Sequence, residues 1–199
     1  MRIFWLFLLA LTMLWGFSQA DVDALIQNQE CPACDLSGAD LRDQDFSGFD
    51  ISGANLSHAK LDNANFFMAD LNGTRLDHAR AHGTIFWKTN LRDANLSYLD
   101  AQSANIKGAH MEHSDLTHAN LRDTKAWKAD FSHAYFDHTI LTRSELGDAL
   151  LAFVDVRSSM LDETLLWETR FLDATLTQAQ CEHAKSEEAL LQGNMHCLP

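Results

Sequence analysis

Ten histidines occur in the 199-residue chain, and several keep a regular spacing: His58, His78, His118 and His138, with Tyr98 at the missing step. Imidazole nitrogens suit Zn, Cu or Ni. Asp77 and Asp137 lie beside this series, so a divalent metal is one chemistry it could support; the plainer reading is a set of solvated turns that tolerate His. Cys31-Pro-Ala-Cys34 has the spacing of a thioredoxin-like redox pair or of half a metal site. No βαβ pattern surrounds it and no second such pair accompanies it. Trp87, Trp127 and Trp167 stand in one phase, with Phe67 in step one interval earlier. Ser, His and Asp are plentiful, but no strand-to-helix nucleophile elbow, phosphate loop or HExxH is present, so no catalytic residue is assigned.

What positions these residues is a repeat. An apolar residue, bulky at most steps but small at Ala81, Ala101 and Ala126, returns at every fifth position from Leu36 to Cys181 without an insertion, as in Leu56, Leu61, Phe66 and Leu71. A helix repeats near 3.6 residues and a half-buried strand near 2, so neither buries every fifth residue. Two residues before each bulky centre stands a small one, except at Gln44, Phe49, Leu99 and Val154. In extended chain, residues two apart point the same way, so both members of the pair face inward and the fifth residue of the unit turns a corner. Gly38, Gly48, Gly53, Gly73, Gly83 and Gly108 hold such corners, and Asp, Asn or Ser hold many others. Right-angle corners close a square coil after four units, and successive coils stack about 4.8 Å apart. The lack of Pro from position 33 to 198 fits a hydrogen-bonded ladder.

Units such as "ADLRD", "ANLSH", "ADLNG" and "ANLRD" match the A(D/N)LXX pattern, and through them residues 34–184 resemble the pentapeptide-repeat proteins. The resemblance implies an all-β fold, a right-handed quadrilateral parallel β-helix. The opening "CPACDLSGADL" is similar to the start of the repeat domain in many bacterial members. The family is a scaffold with many uses, so the fold does not name the function.

Solenoid ends need covers. Residues 21–33 are expected to form an N-terminal cap with a short helix in 21–30. Residues 185–199 should form a C-terminal cap, with a helix from Ser186 to Gln192 stopped by Gly193. Cys31 and Cys34 then lie at the first coil and Cys181 at the last, roughly 35 Å away. The disulfide candidates are therefore Cys31 with Cys34 and Cys181 with Cys197.

Residues one coil apart lie above one another. Phe67, Trp87, Trp127 and Trp167 become a ladder of outward aromatics, a candidate binding surface. Two-coil spacing would put these Trp about 9.6 Å apart, near the length of a disaccharide. His58, His78, His118 and His138 become one corner column, the candidate metal site; otherwise no cofactor is expected. Beyond residue 140, Ile140, Leu150, Ala152, Phe153, Met160, Leu165 and Leu172 fill outward positions that earlier coils give to polar residues. This suggests a contact near the C-terminal end or shielding by its cap. Quinolone-resistance members of the resembled family dimerise through their C-terminal ends, so a homodimer is a further expectation.

Residues 1–20 combine Arg2, an apolar run from Ile3 to Phe17 and small residues at Ser18 and Ala20, the pattern of a signal peptide cut after Ala20. An exported protein, periplasmic or extracellular, is expected. Its formal net charge of -13, one unit more negative once Arg2 is removed, disfavours nucleic acid and anionic membrane. The reading that follows is a non-enzymatic exported scaffold offering a rigid face to a protein partner. The alternative is a cell-wall or carbohydrate-binding module using the Trp ladder. A gyrase-binding DNA mimic, a role known in the resembled family, conflicts with export.

Overall fold

A computed structural model describes residues 18–199. The apolar part of the predicted signal peptide, residues 1–17, lies outside the described residues. From Glu30 onward the chain winds as a four-sided coil in which each residue preceding a centre, Tyr135 with Asp155 excepted, pairs in parallel with its counterpart in the next coil, from Glu30–Asp50 to Asp155–Thr175. Three hydrogen bonds join each side to the coil ahead: Leu36 N–H to the Asn55 carbonyl, Asn55 N–H to the Cys34 carbonyl, and Gly38 N–H to the Ser57 carbonyl, each 2.8 Å. The chain therefore satisfies its backbone with almost no long strands.

The corner is built by two residues rather than one. Leu36 accepts from Ala39 N–H at 3.1 Å, closing a four-residue turn over Ser37 and Gly38. The second turn residue has φ between 49° and 72° at every step from Gly38 to Asp173 except Ser158. Such a left-handed corner favours glycine and costs other residues roughly 1–2 kcal/mol, yet His, Asp, Lys and Tyr hold many of these positions. The ladder fixes the backbone there, and the His and Tyr rings recover part of the cost by stacking on the corner ring of the adjacent coil.

Centres and small residues fill the interior as the spacing requires. Phe46, Phe66 and Phe86 stack in one column with ring centroids 5.2 and 5.4 Å apart. Where the small residue is Thr or Ser, its buried hydroxyl donates to a backbone carbonyl, as Thr84 does to Leu61 at 2.7 Å and Thr74 to Leu71 at 2.8 Å. Among the described residues every buried Thr or Ser hydroxyl at a small position is paired in this way. Leu99, bulky at a small position, is followed by the centre Ala101, which lies over Ala81, so large and small have exchanged places. Phe49 is instead only half-buried.

Helix α1 (Gln19–Asn28) covers the first coil, with Ser18 as its N-cap and Leu25 fully buried against the core. This helix spans the predicted cut after Ala20. At the other end the expected helix is displaced. Helix α2 runs Gln178–Ser186, and Leu190–Gln192 is a strand. Thr177 accepts from Gln180 N–H while the Gln180 side chain accepts from Thr177 N–H, a reciprocal cap that starts the helix early. The coil therefore ends at Thr177, and Cys181 lies buried in α2 rather than in a further coil. Strand β1 (Leu150–Ala152) pairs with β2 (Arg170–Leu172), which pairs with β4 (Leu190–Gln192); β3 (Thr175–Thr177) pairs with β5 (His196–Leu198). The segment read as helix adds a strand because its backbone groups find a ladder waiting on β2.

Disulfides join Cys31 to Cys34 and Cys181 to Cys197, with Cα separations of 5.5 and 6.0 Å. The second staples α2 to β5. Among the described residues no helix is long and apolar enough to cross a membrane.

Candidate functional site

Side chains outside the core sort into faces and corners. On the face that carries the centres Phe66, Phe86, Ala126 and Leu166, the four predicted aromatics do line up, but not as an even ladder. Phe67 and Trp87 touch, with centroids 4.8 Å apart. Trp127 and Trp167 meet at 6.1 Å and a 50° tilt, well inside the 9.6 Å expected from coil spacing. The cause is Gly147 on the intervening rung. A Cβ there would collide with the Trp127 ring, so the absence of a side chain is what lets the indole lean across. Its Nε1 donates to Glu145 Oε2 at 2.8 Å, fixing the tilt. The result is two aromatic pairs separated by Lys107. Trp167 is 45% exposed and Leu165, on the same face, 50%.

The histidine column is present as a stack. His58, His78, Tyr98, His118 and His138 lie face to face with centroids 4.7–5.1 Å apart and interplanar angles of 4–23°. This geometry argues against the metal reading. Lone pairs of parallel rings project in parallel planes and do not converge, whereas two nitrogens on one tetrahedral zinc sit about 3.3 Å apart. Among the described residues no group of three or more His, Cys, Asp or Glu is placed to hold a metal ion. A second stack, His113, His133 and Phe153, with centroids 4.8 and 4.7 Å apart, occupies the next corner. The twenty-residue spacing of its members was visible in the sequence and could have found it.

Between the two stacks lies the face with centres Leu116, Phe136 and Val156, and here the ladder is interrupted. Every rung from Glu30 to Thr175 is paired except Tyr135 with Asp155. Neither Asp155 N–H to Ala134 carbonyl nor Phe136 N–H to Asp155 carbonyl is made among the described residues. His138 N–H, which would bond the next coil's backbone, donates instead to Ser158 Oγ at 3.1 Å, and Ser158 Oγ donates to Asp137 Oδ1 at 2.9 Å. Val154 occupies the small position of this unit and is followed by Val156, so nothing compensates its bulk as Ala101 does for Leu99. In the coil before it Phe131 and Phe136 pack edge to face at 5.5 Å. An open groove of about 520 Å³ lies over the gap, lined by Asp115, Tyr135, Asp137, Phe153 and Asp155 among others. Bonds from Arg157 hold the Asp155 carboxyl below its ordinary range.

Comparison with known proteins agrees with this architecture. No curated protein matches the chain. Among solved structures it is similar to HetL, a pentapeptide repeat protein involved in heterocyst differentiation regulation from the cyanobacterium Nostoc sp. strain PCC 7120, at 20% identity over 84% of this chain and 86% of that one, with a TM-score of 0.45. QnrB1, a plasmid-mediated fluoroquinolone resistance protein, matches at 14% identity over 79% and 89%, with a TM-score of 0.43. The Nostoc PCC 7120 pentapeptide repeat protein alr5209 matches at 31% identity over 44% and 68%, with a TM-score of 0.35. The family model for pentapeptide repeats matches eight copies across residues 34–73, 74–112 and 114–152. With that match over more than half of its length and a five-residue unit wound four to a coil, the chain belongs to the pentapeptide-repeat family.

Proposed function

We propose that this protein is a non-enzymatic exported scaffold that binds another protein through the face bearing Trp127 and Trp167. The observation that carries the reading is the joined indole pair over Gly147, with Leu165 and Trp167 about half exposed beside it. Exposed aromatic clusters on a rigid support are the usual anchors of protein interfaces. A rod held by one hydrogen-bonded ladder offers such a cluster at little cost in ordering. The two cystine bridges fit an oxidising compartment, which supports the signal-peptide reading. The carbohydrate alternative drew on evenly spaced indoles, and the tilted 6.1 Å pair removes that support.

The partner is either a different protein or a second copy meeting the C-terminal coils. The test is light scattering of residues 21–199 beside the Trp127→Ala, Trp167→Ala variant, followed by cross-linking in the exporting cell. Loss of a dimer or of a cross-linked partner in the double variant, with the fold intact by circular dichroism, supports the assignment. Retention of both would refute it. Retention on a glycan array that depends on the same two residues would restore the carbohydrate reading.

A further inference from the structure

The open rung at Tyr135 and Asp155 is on a different face from the Trp pair, and its chemistry is specific. The carbonyls of Ala134 and Asp155 have lost the donors that serve their counterparts in other coils. Around them stand the carboxylates of Asp115 and Asp137 and the phenol of Tyr135, which is 66% exposed. Among the described residues Asp115 Oδ1 accepts only from Thr117 N–H, and Asp137 Oδ1 from Ser158 with His138 Nε2 3.8 Å away, so each carboxylate keeps acceptor capacity. One wall is the planar edge of the stack formed by His133 and Phe153, the latter 52% exposed. Arg157 already occupies the Asp155 carboxylate, yet acceptors and negative charge still outnumber donors, beside the edges of the stacked rings.

We infer that this groove receives an arginine side chain of a partner protein. A guanidinium is planar and carries five donors in a fixed fork and no acceptor, which matches the excess of carboxylate and carbonyl acceptors in the groove. A lysine ammonium supplies the charge without the plane or the fork. The groove is open rather than enclosed, so it suits a side chain projecting from a protein surface and not an engulfed small molecule. This assignment stands whether or not the Trp127–Trp167 face binds protein.

Binding is to be followed by amide chemical shifts of the mature chain titrated with acetyl-Gly-Arg-Gly-amide, acetyl-Gly-Lys-Gly-amide and argininamide. The expected result is saturable shifts centred on Tyr135, Phe136 and Asp155, with the arginine peptide binding about tenfold more tightly than the lysine peptide. Asp137→Asn should weaken the arginine peptide by a similar factor, while Glu163→Gln, the same charge change elsewhere, should leave it unaltered. Val154→Ala gives a second approach that does not touch the groove's polar groups. Restoring a small residue should close the rung, slow hydrogen exchange at Phe136 and Asp155, and abolish the shifts without loss of thermal stability. Equal binding of the two peptides, equal weakening by Asp137→Asn and Glu163→Gln, or undiminished binding to a Val154→Ala protein with a closed rung would each overturn the proposal. Argininamide binding as tightly as the peptide would overturn the assignment to a protein partner.

Discussion

The coils from Glu30 to Asp130 and those from Phe131 to Leu198 obey the same rule and differ in how strictly. In the first, every rung is paired and bulk is balanced within the core, as Leu99 and Ala101 show. In the second, one rung is open, Gly147 stands where other coils carry a side chain, apolar residues face outward, and the coil gives way to α2 and two edge strands. The regular half is a support whose sequence is spent on closing itself. The irregular half departs from the rule where departures create surface, and local departures of that kind are where function is expected.

The largest test of this contrast is in the core. Phe86→Ala, in the stacked Phe column of the regular half, should destabilise by about 3–5 kcal/mol in chemical denaturation. Loss of the Cys181–Cys197 staple by Cys197→Ser should cost about 3 kcal/mol and free β5, seen as rapid hydrogen exchange at His196–Leu198 with the early coils still protected. Unfolding of both halves together after that change would show that they form one cooperative unit. Gly147→Ala should cost about 1–3 kcal/mol by expelling the Trp127 ring, with a red shift of its fluorescence. Ser103→Gly, at a corner with φ 58°, should stabilise by roughly 0.5–1 kcal/mol, because glycine accepts the left-handed region without strain.

The smallest effect concerns acid. Arg143 donates two hydrogen bonds to Asp123, at 2.7 and 2.8 Å, and holds that carboxyl below its ordinary 3.8. A carboxyl lowered in the folded state contributes stability that is complete above its unfolded value and is lost as pH falls through the folded one. The thermal midpoints of the parent and Asp123→Asn should therefore differ slightly at about pH 7 and coincide near about pH 2. A gap that persists in acid would show that the pair acts through packing.

The coil was legible because its signal is additive. Each unit from Leu36 onward repeats the same inward pair, so the periodicity accumulates past any single exception. The C-terminal helix was misplaced because Ser186, Glu187 and Glu188 form a good local start, while the stronger reciprocal cap at Thr177 and Gln180 sits inside what still scans as repeat. Columns could be assigned from spacing, but not the reach of a side chain along its column: nothing in the phase of Trp127 and Trp167 says that Gly147 lets them touch. Likewise Val154 is visible as an exception, as Leu99 is, and only the neighbours Ala101 and Val156 separate the tolerated exception from the one that opens a rung.

The two periods, five residues for a side and twenty for a coil, also constrain how this chain can change length. An insertion of one complete unit keeps every centre inward, yet it turns all that follows by about a right angle. Placed between Trp127 and Trp167, it would part the indoles and move every later corner off its stack without disturbing the core. Only whole coils can be added without rewriting the surface. Gain or loss of repeats in such a protein is therefore silent for folding and decisive for recognition, so relatives with equally sound cores can present unrelated faces.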